Sequence, residues 1–164
     1  VPNRMRLVLG KTIATAIYAL GFSLIVTAMT LLATYLAVKD WRPDLIWRPE
    51  AFIGFGGSIL FVVAITLITF GITLITRRTM FGILIMMAFT GVVMTQVLYG
   101  ISPVLDALTP VSAARNWLLQ SEGWGPGGGP AFSSSPEVGA AVLATWAILT
   151  PVGAALAIHR RDAR

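Results

Sequence analysis

The chain contains no cysteine, which excludes a disulfide framework, a thiolate metal site and a cysteine nucleophile. It has one histidine and seven acidic residues among 164. Charge of either sign is missing from four long stretches: no Asp, Glu, Lys, Arg or His occurs in 12–38, 51–75, 80–105 or 138–158. Proton relays, ion-coupling sites and voltage sensors need such groups at membrane depth, so these stretches hold none of that chemistry. An intramembrane enzyme is disfavoured for the same reason, since no acid–base pair or activated nucleophile falls inside them. His159 sits beside Arg160 at the end of the last apolar stretch. A helix C-terminus there favours cations, so His159 reads as an anchor and not as a haem or metal ligand. No cofactor or metal site is expected.

What is present is apolar surface. Hydrophobic residues make up 56% of the chain and charged ones 12%, with a mean hydropathy of +0.81, far from the soluble average. A hydrocarbon core about 30 Å thick is crossed by roughly 20 apolar helical residues, and each charge-free stretch is that long. The expected fold is therefore all-α: one polytopic transmembrane helical bundle over 1–164, with spans at about 12–38, 51–75, 80–100 and 138–158. A net charge of +5 could point to nucleic acid. The basic residues, however, are not gathered into a patch interleaved with exposed aromatics; they lie at the ends of apolar runs, and no nucleic-acid partner is expected.

The stretch Thr76-Arg77-Arg78-Thr79 orients the rest. It is a basic turn between two runs that can each span a bilayer, and short loops rich in Lys and Arg stay on the cytoplasmic side. That choice places Arg4, Arg6, Lys11, Arg77, Arg78, Arg160, Arg161 and Arg164 inside, against Lys39, Arg42, Arg48 and Arg115 outside; of the acids only Asp162 falls inside. Both visible ends are then cytoplasmic. The chain begins at Val1, and its basic start leads straight into a long span with no small-residue cleavage site, so Val1 is expected to lie inside a longer polypeptide. Gly10-Lys11-Thr12 looks like the end of a phosphate-binding P-loop, but Met5 stands where the first glycine belongs and no soluble strand precedes it.

The outer segments differ from one another. Residues 39–50 mix charges with Trp41 and Trp47, as an interfacial loop does. Ser102-Pro103 and Thr109-Pro110 each put a capping hydroxyl before a proline at the first helical position. Two short helices are expected over about 103–119. Val104, Leu108, Val111 and Leu118 fall at helical spacing while Asp106 and Arg115 fall elsewhere, so the pair should be amphipathic and lie in, or dip into, the outer interface. Residues 120–136, rich in Gly, Ser and Pro, read as a flexible outer loop.

Hydroxyls recur within the spans. Ser23, Thr27, Thr30 and Thr34 make one helical stripe, and Thr66, Thr69, Thr73 and Thr76 another. Such stripes serve close helix packing, each hydroxyl bonded to a carbonyl one turn back, or line a mildly polar substrate path. Gln96 is the strongest isolated polar group of the third span; a lone amide in lipid calls for an interhelical hydrogen bond. Gly54 and Ser58 form a small-residue packing pair, and Pro151 should bend the last helix.

Taken together, Arg6-Leu-Val-Leu-Gly-Lys11 opening a span, the basic hairpin, the Ser-Pro and Thr-Pro outer segment and the final His159-Arg-Arg-Asp162 resemble the C-terminal two-thirds of the permease subunits of type-2 ATP-binding-cassette (ABC) exporters of bacterial plasma membranes. The resemblance implies a six-span permease, hence two spans that lie upstream of Val1 or belong to a separate piece. It implies that Arg4, Arg6 and Lys11 lie near an ATPase subunit. Residues 102–119, with Pro103, Pro110 and Trp117, would close the outer end of a pathway. A second permease subunit and membrane lipid would be the other partners. Absence of a P-loop and of ion-coupling residues separately requires that any transport be driven by a partner. The alternative is a membrane-anchor or assembly subunit that carries spans but no pathway.

Overall fold

In a computed structural model the described residues form helices and no strand. The backbone is described for residues 4–41, 47, 49–118 and 133–162, and the side chains of these except 4, 5, 49, 50, 53 and 159–162. Seven helices follow in order: α1 (Arg4–Val38), α2 (Pro49–Thr76), α3 (Thr79–Met94), α4 (Val97–Ile101), α5 (Pro103–Ala107), α6 (Pro110–Leu118) and α7 (Pro136–Asp162). Three of them, over Arg6–Val38, Gly54–Thr76 and Pro136–Ile158, are long and apolar enough to cross a membrane by length and composition. Most of the expected outer loop, and the side chains of Arg4 and His159, fall outside the described residues.

α1 and α2 form where no proline interrupts the apolar run. α1 runs for 35 residues, roughly 52 Å at the rise of an α-helix, so it continues through the basic start, where Arg6 and Lys11 are exposed. One narrow stripe of α1 turns inward through Val8, Thr12, Thr15, Ala16, Ala19 and Ser23, and it packs chiefly on α2. Small and hydroxylated side chains let helix backbones approach where lipid supplies no hydrophobic drive. The rest of α1 is bare: Ile17, Tyr18, Phe22 and Met29 are 63%, 79%, 64% and 67% exposed. Such a surface belongs against lipid or other helices.

α2 ends at Thr76, and the next residue, Arg77, takes a left-handed φ of 57°, a conformation that closes helices but is uncommon for a residue with a side chain. The turn is only Arg77-Arg78, and α3 folds straight back. Gly82 makes this possible: a Cβ there would collide with the Thr73 hydroxyl. α7 packs along α2 and α6. Where α7 meets α2, a Cβ on Gly71 would stand 2.6 Å from the Thr150 carbonyl carbon and 2.8 Å from Pro151 N. α7 runs unbroken through Pro151. The core gathers Ile68, Met86, Ala113, Ala114 and Leu143, with Phe89 and Trp146 edge to face beside it at 6.3 Å.

Two expectations need amending. The span expected at 80–100 is interrupted: α3 has 16 residues, about 24 Å, and the chain breaks at Thr95-Gln96 before α4. The short outer helices start at Pro103 and Pro110, but their amphipathicity has the opposite sense to that of a helix on a water surface. Asp106 is fully buried, whereas Val104, Leu105 and Leu108 are 68%, 51% and 52% exposed. The polar face is turned to the protein and much of the apolar face away from it.

Candidate functional site

The α5–α6 segment lies at the end of the bundle opposite the Arg77-Arg78 turn, against the start of α7, the start of α2 and the end of α3. Its local structure follows from its two hydroxyl–proline pairs. Ser102 caps α5 by accepting from Leu105 N at 3.5 Å, with Pro103 at the first turn. Thr109 Oγ1 accepts from Ser112 N at 3.3 Å, and Thr109 O accepts from Ala113 N at 2.9 Å, which sets the start of α6.

A buried ion pair locks the two helices together. Asp106 Oδ2 accepts from an Arg115 terminal nitrogen at 3.0 Å and Oδ1 accepts from Ser112 Oγ at 2.7 Å. The Asp106 side chain is 0% and that of Arg115 10% exposed. Thr109 Oγ1 donates to the Asp106 carbonyl at 3.0 Å. Both carboxylate oxygens are thus engaged. A buried ion pair holds only with such accompanying bonds, since desolvation otherwise outweighs the attraction.

α6 is seated on α7 at backbone distance: a Cβ on Gly139 would stand 2.5 Å from Ala113 O and 3.1 Å from Trp117 N. Asn116 joins the same contact, its Cβ 3.2 Å from that position, and donates to Ser133 Oγ and Ser134 Oγ just before α7 at 3.0 and 2.8 Å. Trp146 Nε1 donates to Leu108 O at 2.9 Å, which pins the α5–α6 junction to the middle of α7. Among the described residues two buried side-chain polar atoms stay unpaired, Asn116 Oδ1 and Arg115 Nε.

Beside this segment lies a cavity of about 390 Å³, lined by Phe61 from α2, Val93, Met94 and Gln96 from the end of α3, and Val111, Ala114, Arg115 and Leu118 from α6. That volume is in the range of small-molecule sites. Gln96 is the residue at the helix break and holds a left-handed φ of 54°. The ladder is patched around it: Gln96 N donates to Val93 O at 3.1 Å, and Thr95 Oγ1 donates to Gly91 O and Val92 O at 3.1 and 3.0 Å. Helical bonding resumes with Gly100 N to Gln96 O at 3.1 Å. At membrane depth irregular backbone is tolerated where it is buried or lines a cavity, and backbone strain gathers at working sites. Here the break, the strained residue and the half-satisfied arginine meet at one cavity.

The residues singled out from the sequence are distributed unevenly around this site. Gln96 lines the cavity. Pro110 is buried in the cap, Pro103 is exposed and Trp117 is half-buried against the core. Arg6 and Lys11 stand at the far end of α1. The hydroxyl stripes lie elsewhere, and none is among the cavity's lining residues. Ser23, Thr30, Thr34, Thr66 and Thr69 each donate to a carbonyl three or four residues back, at 2.7–2.9 Å. Ser23 is buried, Thr27, Thr66, Thr69 and Thr73 are half-buried, and Thr30 and Thr34 are exposed. Sequence reasoning missed the inward-facing Asp106–Arg115 pair. A signal existed in Ser112-Ala113-Ala114, small residues that suit a helix pressed against another rather than one floating at an interface.

No known family, curated protein or solved structure matches the chain.

Proposed function

We propose that the chain is part of the membrane-spanning permease subunit of an ABC exporter, residing in a bacterial plasma membrane with both visible ends cytoplasmic and drawing its energy from a separate ATPase subunit. The observation that carries this reading is the distribution of charge. The interiors of the three long helices hold no charged side chain, and the buried ion pair lies in a short-helix cap at one end of the bundle. These residues offer nothing with which to couple transport to an ion gradient and no nucleotide cradle, so transport through them would draw its energy from an attached ATPase subunit. The cap, α5 with α6, is the element that would close the outer end of a pathway, and α3 with α4 would complete a fourth crossing. The exposed Arg6 and Lys11, with Arg4, would face the ATPase subunit, and the bare side of α1 suits lipid and a second permease subunit.

The test is co-purification of the full-length protein from its native membrane, followed by transport in vesicles. A bound ATPase subunit and ATP-dependent cargo movement support the reading. Loss of the ATPase subunit on Arg4→Glu with Arg6→Glu would make the basic start its contact. An intact assembly with no nucleotide-hydrolysing component would instead favour a membrane-anchor or assembly subunit.

A further inference from the structure

We infer that the groove between α1 and α7 seats an acyl chain of an anionic phospholipid, whose head group is held by Arg6 and Lys11. The groove has a volume of about 490 Å³, with Val8, Leu9 and Thr12 on one wall and Ile148, Val152 and Leu156 on the other. Thr12 is the only polar side chain among its lining residues, and its hydroxyl donates to Val8 O at 2.9 Å. The interior therefore suits hydrocarbon. It opens sideways, since Leu9, Ile148, Val152 and Leu156 are 61%, 63%, 48% and 49% exposed, so a chain can enter from the bilayer.

Length and charge select this occupant. The α7 wall runs from Ala147 to Leu156, about 14 Å of helix, close to half of a hydrocarbon core about 30 Å thick. It ends within one turn of the basic run His159-Arg160-Arg161. The groove thus covers the depth of one leaflet, starting at the head-group level. Charge then fixes the head. Residues three apart are neighbours on a helix surface, so Lys11 borders Val8 and Arg6 borders Leu9, one on each flank of the α1 wall, and both are exposed. Long basic side chains lay their stems along apolar surface and keep their charge at the head-group level. Arg77-Arg78 and Arg160-Arg161 belong to the same end of the bundle, against a single acid, Asp162. Basic pockets between membrane helices hold anionic head groups. A zwitterionic head gains less there, and a cationic one is repelled.

The inference stands apart from the exporter proposal, because lipid binding requires neither an ATPase subunit nor transport. The experiment is photolabelling of the full-length protein in nanodiscs with phosphatidylglycerol and phosphatidylcholine that carry the same diazirine-bearing acyl chain. Labelling of 6–12 and 147–156 reports the groove. Labelling of 80–87 on α3, where Met80, Leu84 and Met87 are exposed beside the Arg77-Arg78 turn, reports lipid drawn to this end by charge alone. The ratio of phosphatidylglycerol to phosphatidylcholine labelling is expected to be higher in the groove than at 80–87. Arg6→Gln and Lys11→Gln should each lower the groove ratio about five-fold, the weight of one basic residue at an anionic lipid surface, and leave that of 80–87 unchanged. Ala155→Phe, which fills the groove, should remove its labelling by both lipids and spare 80–87. If Ala155→Phe does not fold, Val152→Trp, at a lining position 48% exposed, is read the same way. Equal ratios at the two places, groove ratios untouched by loss of Arg6 and Lys11, or a groove that neither lipid labels because another helix covers it, would overturn the assignment, whatever the fate of the exporter reading.

Discussion

Trp146 on α7 donates its indole N–H to the carbonyl of Leu108, 2.9 Å away and 38 residues earlier in the chain. Leu108 sits at the junction of α5 and α6, so this bond fastens the cap to a long helix. The indole also meets Phe89 of α3 edge to face. One side chain thereby connects α3, α7 and the α5–α6 junction. Trp146→Phe keeps much of the ring contact and removes the donor. The expected loss is about 1 kcal/mol, read by reversible unfolding in detergent, with faster hydrogen exchange confined to 105–118. Unchanged exchange there would show that the cap is held by α6 alone.

The Asp106–Arg115 pair permits a sharper experiment, because removing one partner and removing both have different signs. Asp106→Ala leaves Arg115 buried without its counter-charge and should destabilise by roughly 3–5 kcal/mol, the usual cost of breaking a buried pair. Asp106→Leu combined with Arg115→Met exchanges the pair for apolar groups and should recover most of that loss. Thermal unfolding of the three variants decides the matter. Equal destabilisation by the single and double changes would mean that Ser112, rather than Arg115, is what Asp106 holds.

How much of this was legible in the sequence varies with the physics of each element. The long helices were legible because membrane depth demands length and apolarity together, and a run such as 51–75 has no other use. Ser102-Pro103 and Thr109-Pro110 marked helix starts because capping is a local interaction, decided within four residues. The inward turn of Asp106 was not legible. Helical spacing separates a polar face from an apolar one, but which side meets protein depends on what surrounds the helix, and in an apolar environment the usual sense reverses. The break at Gln96 was equally hidden. Thr95 and Gln96 are tolerable helix residues, and nothing in their local spacing marks a left-handed backbone.

Glycines at the crossings separate tight contacts from open ones. A Cβ on Gly71 would stand 2.6–2.8 Å from the backbone and Cβ of Thr150 and from Pro151 N, atoms that cannot swing aside. Gly71→Ala should cost about 1–3 kcal/mol, as overpacking does. Gly10→Ala is the control, since nothing lies within 4 Å of that position; it should be neutral or stabilising by up to about 1 kcal/mol through helix propensity. Stability of both variants measured by unfolding in mixed micelles gives the comparison. A neutral Gly71→Ala would mean that α2 and α7 cross less closely than described.

The strained backbone at Gln96 makes the last prediction, which separates conformation from chemistry. A left-handed φ of 54° costs a residue with a Cβ about 1–2 kcal/mol, and glycine adopts it without that cost. Gln96→Gly should therefore leave the fold as stable or more stable while removing one of the cavity's polar groups. Gln96→Val should destabilise by about 1–2 kcal/mol beyond the loss of the amide, because a β-branched side chain tolerates positive φ least. If the break exists to present Gln96 to the cavity, Gln96→Gly keeps the fold, and its unfolding free energy matches or exceeds that of the parent protein. If instead Gln96→Gly is markedly less stable than the parent protein, the amide holds the break together, and the left-handed turn is a consequence of its bonding rather than a strained feature.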